Sequence, residues 1–394
     1  MLRGRDDEPD TRSDAGPAVQ ANNELALDLY GELRQKPGNL VFSPYSISTA
    51  LAMACGGARG GTQAQMARTL HFSVAPEALH QAFAALQARV NAVQARGDVR
   101  LLVANALWPQ ERYAFLEDYL SLVKECYGAA ITPVDYQRAA DAARQTINDW
   151  VESKTEDKIK ELIAPGALSD LTHLVLVNAI YFKGDWLAQF DPGLTSDRSF
   201  WLSPDKDVQV PMMVQEGEFG YAEPSGLQVL ELPYVGGELS MVVLLPKNVR
   251  GLSSLEKALT VTNLSKWTDR LGQTEVEVYL PRFVMRFGCE LSDALMGLGM
   301  TDAFDSRIAD FSGMDGKEQW LFLSAVIHQA FIDVKEEGTE AAAATALDLL
   351  GAAPPDETPV TFRADHPFLF VVRENSTGSI LFLGRVVNPT LTTV

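Results

Sequence analysis

Histidine, serine, cysteine and acidic side chains are the groups that could catalyse a reaction or bind a metal in this chain. No histidine lies in an H-E-x-x-H pattern, and no two histidines are spaced to share a metal ion. The sequence has no G-x-S-x-G turn and no G-x-x-x-x-G-K-[ST] loop. These features predict a protein that is not an enzyme and that uses no metal or other cofactor. The histidines are His71, His80, His173, His328 and His366.

Glycine and cysteine patterns give no further chemical site. The run from Gly56 to Gly61 lacks the spacing and the lysine of a nucleotide site, so we interpret it as a turn between two helices. Three widely spaced cysteines exclude a full disulfide framework and predict buried free thiols. They are Cys55, Cys126 and Cys289.

Residues 336–350, EEGTEAAAATALDLL, support two different secondary structures. Five alanines and three leucines favour a helix, and Gly351 follows as a stop. Alternation with period two favours a strand equally well, because Glu340 and Asp348 then fall on one face. The opposite face carries no charge and consists of Thr339, Ala341, Ala343, Thr345, Leu347 and Leu349.

The elements around this segment indicate a single α+β domain. Helical periodicity begins near Asn22 and dominates the first half of the chain, and strand patterns dominate from His173 onward. We expect the domain to span residues 22–390, with a C-terminal tail at 391–394. Residues 1–21 are charged, rich in Pro, Gly and Ser, and lack an apolar signal core, which predicts a disordered tail. The chain would then be cytoplasmic, or secreted after processing.

The formal net charge of −19, from 52 acidic and 33 basic side chains, restricts the partners. Nucleic acids and membrane surfaces are anionic, so neither is expected to bind. A heparin site is also not indicated, because residues 79–100 contain only three arginines, widely spaced: Arg89, Arg96 and Arg100.

Six segments in sequence order closely resemble motifs of the serpin family. The resemblance runs from about Asn22 to Thr390, which is nearly the whole chain. It implies an α+β serpin fold in which helices surround three β-sheets and a mobile reactive-centre loop, at about 336–360, is exposed. The segments are 39–48 (NLVFSPYSIS), 57–66 (GARGGTQAQM), 178–186 (NAIYFKGDW), 336–345 (EEGTEAAAAT), 365–370 (DHPFLF) and 382–389 (FLGRVVNP).

The resemblance also implies a function, the suicide inhibition of serine proteases by a monomer. The protease serine attacks the loop and forms an acyl-enzyme, and the cleaved loop inserts into the central sheet before water can release it. The hinge that must enter the sheet matches the family pattern, and its inserting face carries no charge whose burial would oppose insertion. The hinge residues are Glu336, Glu337, Gly338, Thr339, Glu340, Ala341, Ala342, Ala343, Ala344 and Thr345.

The family spacing from Gly338 places the reactive bond at Ala352–Ala353. A small residue before the bond suits proteases with a shallow pocket, such as elastase-like or subtilisin-like enzymes. The stretch from Ala353 to His366 is longer than the family pattern, which leaves Leu350, Gly351 or Ala353 as alternatives for the residue before the bond. Leu350 would favour a chymotrypsin-like target.

The resemblance further implies two groups of residues that control opening of the sheet. Ser43, Ser46, Asn178 and His328 match positions that form a polar cluster beneath the parting strands. Trp186 matches the point of first loop entry, and Glu336 at the loop base is expected to pair with Arg282.

Two other functions remain open at this level. A non-inhibitory serpin would act as a carrier, chaperone or storage protein, and an unrelated α+β enzyme would use a scattered triad that no motif reveals. Cysteine proteases are an alternative target, because a thiolate can attack the same bond.

Overall fold

Helices occupy most of the first half of the chain and strands most of the second half in the computed structural model, which describes residues 11–95, 99–112, 114–317, 321–337 and 359–392. The helices are α1 (Thr11–Leu33), α2 (Pro44–Gly57), α3 (Gly60–Thr69), α4 (Pro76–Gln94), α5 (Glu117–Tyr127), α6 (Tyr136–Lys154), α7 (Leu252–Ala258), α8 (Val261–Thr268), α9 (Ser292–Gly297) and α10 (Ser312–Asp315). The strands are β1 (Leu40–Phe42), β2 (Val99–Pro109), β3 (Ala130–Ile131), β4 (Leu174–Gly184), β5 (Ser196–Ser203), β6 (Lys206–Ala222), β7 (Leu227–Pro233), β8 (Leu239–Pro246), β9 (Gly272–Pro281), β10 (Phe283–Glu290), β11 (Ala325–Val334), β12 (Val360–Arg363), β13 (Phe368–Glu374) and β14 (Ser379–Val386).

The described strands form two hydrogen-bonded sheets, whereas three were expected. A five-stranded sheet has the order β10-β11-β4-β2-β3. A nine-stranded sheet has the order β1-β14-β13-β8-β7-β6-β9-β12, with β5 paired to β6. The second sheet is continuous because β6 is 17 residues long and pairs with β5, β7 and β9 along its length. The α+β class is confirmed.

The first helix corrects the expected domain boundary. The structure begins α1 at Thr11, where a disordered tail was predicted through residue 21. Ala15, Ala18 and Ala21 are fully buried, because the apolar face of the helix continues with small residues toward the N-terminus. The polar composition of the segment concealed this spacing. At the other end Leu391 is attached, since its carbonyl oxygen accepts a hydrogen bond from Asn39 Nδ2 at 2.9 Å.

Helix α2 lies in the core and contacts both sheets through β2, β4 and β14. Pro44 is pre-organised for its first turn, and the Ser43 hydroxyl accepts the Ser46 backbone N–H at 3.2 Å as the N-cap. The outer face of the five-stranded sheet packs against α6, where Ile147 and Val151 are fully buried beside Val177 of β4. The β4–β11 pair is therefore covered on both faces.

The three cysteines are free, as predicted; Cys55 and Cys126 are buried, whereas Cys289 is only half-buried. No helix in the described part of the chain combines the length and the apolar character that crossing a bilayer requires.

Candidate functional site

The parallel pair β4–β11 is the centre of the candidate site. Ala325–Ile332 align with Val175–Phe182 in register, and His328 lies directly opposite Asn178. The same row continues across the sheet to Asn105 of β2. Because neighbouring residues in one row share a face, these polar side chains meet on the inner face, beneath α2.

His328 is fully buried and makes hydrogen bonds through both ring nitrogens. The Ser43 backbone N–H donates to Nε2 at 3.2 Å, and Nδ1 donates to Asn178 Oδ1. This arrangement requires the neutral tautomer with its proton on Nδ1. Burial lowers the pKa of His328 to about 3, so the imidazole stays uncharged at neutral pH.

Asn178 connects the histidine to two further polar groups. Its Nδ2 donates to Ser46 Oγ and to Asn105 Oδ1, and Ser46 Oγ donates to Asn105 Oδ1 at 3.1 Å. The polar cluster, defined here as Ser43, Ser46, Asn105, Asn178 and His328, thus ties α2 to three strands. All four residues expected from the sequence lie together in it.

Asn105 belongs to this cluster but was not identified from the sequence. The available signal was an amide within an otherwise apolar strand, LLVANALWP. A buried or half-buried amide in such a position needs partners, which its neighbours in the row supply.

The loop base lies at the C-terminal end of β11, beyond the polar cluster. Glu336 follows the end of β11, is only 2% exposed, and accepts hydrogen bonds from Arg282 Nε to both carboxylate oxygens at 2.6 Å. The Thr195 hydroxyl donates to Glu336 Oε1 at 2.5 Å. The predicted contact between Glu336 and Arg282 is present, while Thr195 was not foreseen.

The ionisation of Glu336 follows from these contacts. Burial opposes its charge, but the hydrogen bonds from Arg282 and Thr195 outweigh burial, so the pKa of Glu336 lies below its ordinary value. Its carbonyl oxygen also accepts the Phe190 backbone N–H at 2.9 Å. The point at which the chain leaves β11 is therefore fixed by contacts from two segments, one with Phe190 and Thr195 and one with Arg282.

Trp186 lies just beyond the end of β4, beside this base. Its Nε1 donates to the Lys335 carbonyl oxygen at 2.8 Å, and its ring stacks on Tyr234 with centroids 4.5 Å apart. The indole thereby joins the ends of β4 and β11.

Part of the predicted site lies outside the described residues. Glu337 is described and exposed. The remaining hinge positions and the reactive bond, which lie outside, are Gly338, Thr339, Glu340, Ala341, Ala342, Ala343, Ala344, Thr345, Ala352 and Ala353.

Comparisons with known proteins all indicate the same family. The family model described as Serpin (serine protease inhibitor) matches residues 20–389. The leukocyte elastase inhibitor of Homo sapiens is 45% identical over 381 residues, which cover 94% of this chain and 98% of that protein. The leukocyte elastase inhibitor of Xenopus tropicalis is 43% identical over 377 residues, with the same coverage.

Solved structures resemble this protein over nearly its full length. Uncleaved ovalbumin superposes with a TM-score of 0.85 at 34% identity, covering 95% of this chain and 100% of that one. Human thyroxine-binding globulin superposes with a TM-score of 0.85 at 32% identity, covering 96% and 100%.

Proposed function

Since the chain belongs to the serpin family, we propose that it is a monomeric suicide inhibitor of elastase-like serine proteases, which it holds in a covalent complex. The observation that carries this proposal is the geometry of β4 and β11. The two strands are parallel neighbours, and the reactive-loop segment leaves directly from the end of β11.

A strand that follows β11 through a short turn must run antiparallel to it. Because β4 is parallel to β11, the same strand is antiparallel to β4 as well. Insertion would replace one parallel ladder by two antiparallel ladders, which are slightly more stable per residue and add hydrogen bonds. An added strand at the β4–β11 boundary would thus gain hydrogen bonds along both of its edges.

The sequence after β11 suits this place. The inserting face from Thr339 to Leu349 carries no charge, so its burial leaves no unpaired ion. Fourteen residues from Thr339 to Ala352 span about 45 Å as a strand. That length exceeds the roughly 35 Å of the 11-residue strand β4, so the segment can run along all of it.

The covalent step uses the protease's own chemistry. Its serine oxygen bonds to the carbonyl carbon before the reactive bond, the peptide C–N bond breaks, and the new amine of Ala353 leaves with the proton that the protease histidine received. Insertion of the cleaved loop then moves the attached protease away from its docking position before water can hydrolyse the acyl bond.

Two observations support elastase-like targets. Ala352 is small enough for a shallow specificity pocket. The curated relatives at 43–45% identity carry the name leukocyte elastase inhibitor. The names of these relatives also weigh against a non-inhibitory carrier, chaperone or storage role.

The test is incubation with elastase-, subtilisin-, chymotrypsin- and trypsin-type proteases, followed by denaturing gel electrophoresis. We expect a covalent band with elastase. We also expect a released C-terminal peptide whose mass, measured by mass spectrometry, shows that its first residue is Ala353. Cleavage of the loop without a covalent band for any protease would contradict inhibition. A peptide that begins at Gly351 would move the bond to follow Leu350 and favour a chymotrypsin-like target.

A further inference from the structure

The α3–α4 cavity, an apolar space of about 310 Å³, lies between α3 and the first turns of α4 and reaches the buried Cys55 of α2. A larger cavity of about 540 Å³ shares Gln63, Pro76 and His80 with it, so the two adjoin at these residues. Small-molecule sites in proteins commonly have volumes in this range. The other apolar side chains that line the α3–α4 cavity are Ala64, Ala67, Phe72, Val74 and Leu79.

His80 lies where the two cavities meet, and one of its ring nitrogens has no partner. The residue is only 6% exposed, and its Nδ1 lies 2.5 Å from the Tyr127 hydroxyl oxygen. No residue in the described part of the chain bonds its Nε2. A Cβ placed on Gly56 would lie 3.2 Å from Nε2, and Gly56 is half-buried and lines the larger cavity. Nε2 therefore faces the junction of the cavities beside a residue that has no side chain to cover it.

The contact with Tyr127 decides which nitrogen of His80 carries the proton. Tyr127 is 3% exposed, and Nδ1 of His80 is the one partner of its hydroxyl among the residues described. If Nδ1 carried the proton, the Tyr127 O–H would be buried without an acceptor. The hydroxyl therefore donates to Nδ1, and the ring proton is on Nε2. Burial lowers the pKa of His80 despite the nearby Glu77 carboxylate, so the ring is neutral at pH 7.

The junction thus presents a buried N–H donor that needs an acceptor. The charged side chains that line the larger cavity are Arg59, Glu77 and Asp118, two carboxylates against one guanidinium. Arg59 Nη1 already donates to the backbone carbonyls of Gly56 and Ala58, at 3.0 and 2.7 Å. An anionic ligand would meet net negative charge here, whereas a neutral acceptor oxygen would not.

We infer that the α3–α4 cavity binds a small, neutral, apolar molecule that carries one ketone-type carbonyl oxygen. The apolar body of the ligand lies against Phe72, Val74 and Leu79, and its oxygen accepts the Nε2 proton of His80 at the junction. Binding would bury apolar surface and give the unpartnered N–H its acceptor in the same step. This inference is independent of the proposed function, because neither cavity contains a residue assigned to the polar cluster or the loop base.

Three ligands of nearly equal size test the site. Acetylnaphthalene has the ketone oxygen, isopropylnaphthalene has a methyl group in place of that oxygen, and naphthoate is an anion; all carry the substituent at the same ring position. The Kd of each for the full chain is measured by isothermal titration calorimetry. Ring-nitrogen NMR of the five isotope-labelled histidines reports which imidazole the ligand contacts.

We expect acetylnaphthalene to bind about tenfold more tightly than isopropylnaphthalene, because the hydrocarbon leaves the buried N–H without an acceptor. Naphthoate should bind more weakly than the ketone, because Glu77 and Asp118 repel its charge. Among the histidine ring nitrogens, Nε2 of His80 should show the largest shift on addition of the ketone.

Two pairs of variants locate the site. His80→Phe and Tyr127→Phe both lose the bond between these side chains, but only His80→Phe loses Nε2, so it alone should abolish the preference for the ketone. Ala64→Trp fills the α3–α4 cavity from an exposed position of α3 and should weaken all binding at least about tenfold. Its control Ala88→Trp, at an exposed position of α4 that lines neither cavity, should stay within about twofold of wild type.

Circular dichroism melting checks that the variants are folded; if His80→Phe does not fold, the histidine NMR and the pair Ala64→Trp and Ala88→Trp decide. A ketone that binds no more tightly than the hydrocarbon would overturn the inference, as would tightest binding of naphthoate. Equal binding by Ala64→Trp and Ala88→Trp, or no measurable binding of any ligand, would also overturn it. These measurements involve no protease, so a negative result leaves the proposed function intact.

Discussion

His328 shows how one buried side chain links local geometry to the stability of the sheet. Its two ring nitrogens join β4 to the N-terminus of α2, and a charged imidazolium would lose the bond to the Ser43 N–H, since Nε2 must accept there. Separation of β4 from β11 breaks the contact with Asn178 and exposes groups that must find new partners. We therefore propose that the polar cluster opposes the separation of β4 from β11.

We predict that His328 makes the native state sensitive to acid. With a folded pKa of about 3 and an ordinary value near 6.5, the unfolded chain binds more protons between these limits. The contribution of the neutral His328 to the free energy of unfolding is complete above about pH 6.5. It decreases as the pH falls and is smaller by about 2 kcal/mol at pH 5. Thermal unfolding at pH 7 and pH 5 should show a smaller shift for His328→Gln than for the wild type. Equal shifts would exclude His328 as the source.

Asn105 gives a second prediction at this scale. Asn105→Ala removes the oxygen that accepts from Asn178 and Ser46, so we expect a loss of about 1–3 kcal/mol in stability. The control Asn91→Ala changes an exposed position on α4 and should remain within about 0.5 kcal/mol. Denaturant titration followed by fluorescence measures both. If the two variants unfold alike, the amide of Asn105 is not a required member of the cluster.

At the scale of elements, β11 is fixed at two places that serve different purposes. Its middle is bonded to β4 and α2 through the polar cluster, and its end is held at Glu336 by Arg282 and Thr195. On the outer face, Ile327 of β11 and Val177 of β4 pack in the cluster formed with α6. A strand entering between β4 and β11 must displace the contacts at the end first and those on both faces afterwards.

We predict that Arg282→Gln loosens the loop base. The carboxylate of Glu336 would remain buried with only Thr195 as a side-chain partner, and its pKa would rise because burial is no longer outweighed. The free energy of unfolding should fall by about 1–3 kcal/mol. This loss is smaller than for a fully buried ion pair, because the side chain of Arg282 is 43% exposed. Arg282→Lys should be intermediate, since lysine lacks the planar fork of arginine.

The measurement is the thermal midpoint together with the half-life of inhibitory activity at elevated temperature. Arg100→Gln is the control, because Arg100 and Glu156 form an ion pair at 3.1 Å in which both side chains are more than half exposed. The prediction fails if Arg282→Gln is as stable and as long-lived as Arg100→Gln.

At the scale of the whole molecule, the proposed function depends on a native state that is not the most stable arrangement of the chain. The parallel β4–β11 pair is complete in its hydrogen bonds, yet an antiparallel strand between them would add a further ladder. Inhibition then requires that insertion be slow before cleavage and fast after it, so kinetic stability is the relevant property.

We predict that Thr339→Arg converts the inhibitor into a substrate, because it places a charge on the face that must be buried. The matched control is Glu340→Arg, which introduces the same side chain on the opposite face of the segment. Incubation with elastase should give cleaved protein without a covalent band for Thr339→Arg, and a covalent band for Glu340→Arg. Full complex formation by Thr339→Arg would show that the face is assigned wrongly.

Local sequence patterns were sufficient for the fold class and the family, and for most of those members of the polar cluster and the loop base that the structure describes. Strand and helix periodicities reflect burial of one face, which a linear pattern records directly. Two of the six motifs contain Ser43, Ser46, Asn178 and Trp186, and the wider resemblance to the family supplied His328 and Arg282. The free state of the three cysteines also followed from their number and spacing.

Tertiary structure decided what depends on register and on long-range packing. Asn105 joins the polar cluster only because β2 pairs with β4 in a register that places it opposite Asn178. Thr195 reaches Glu336 across 141 positions of sequence, and Ala15 and Ala18 are buried because α1 extends along the core. A strand pattern specifies which face is buried but not which residue lies opposite, because register is fixed by the partner strand.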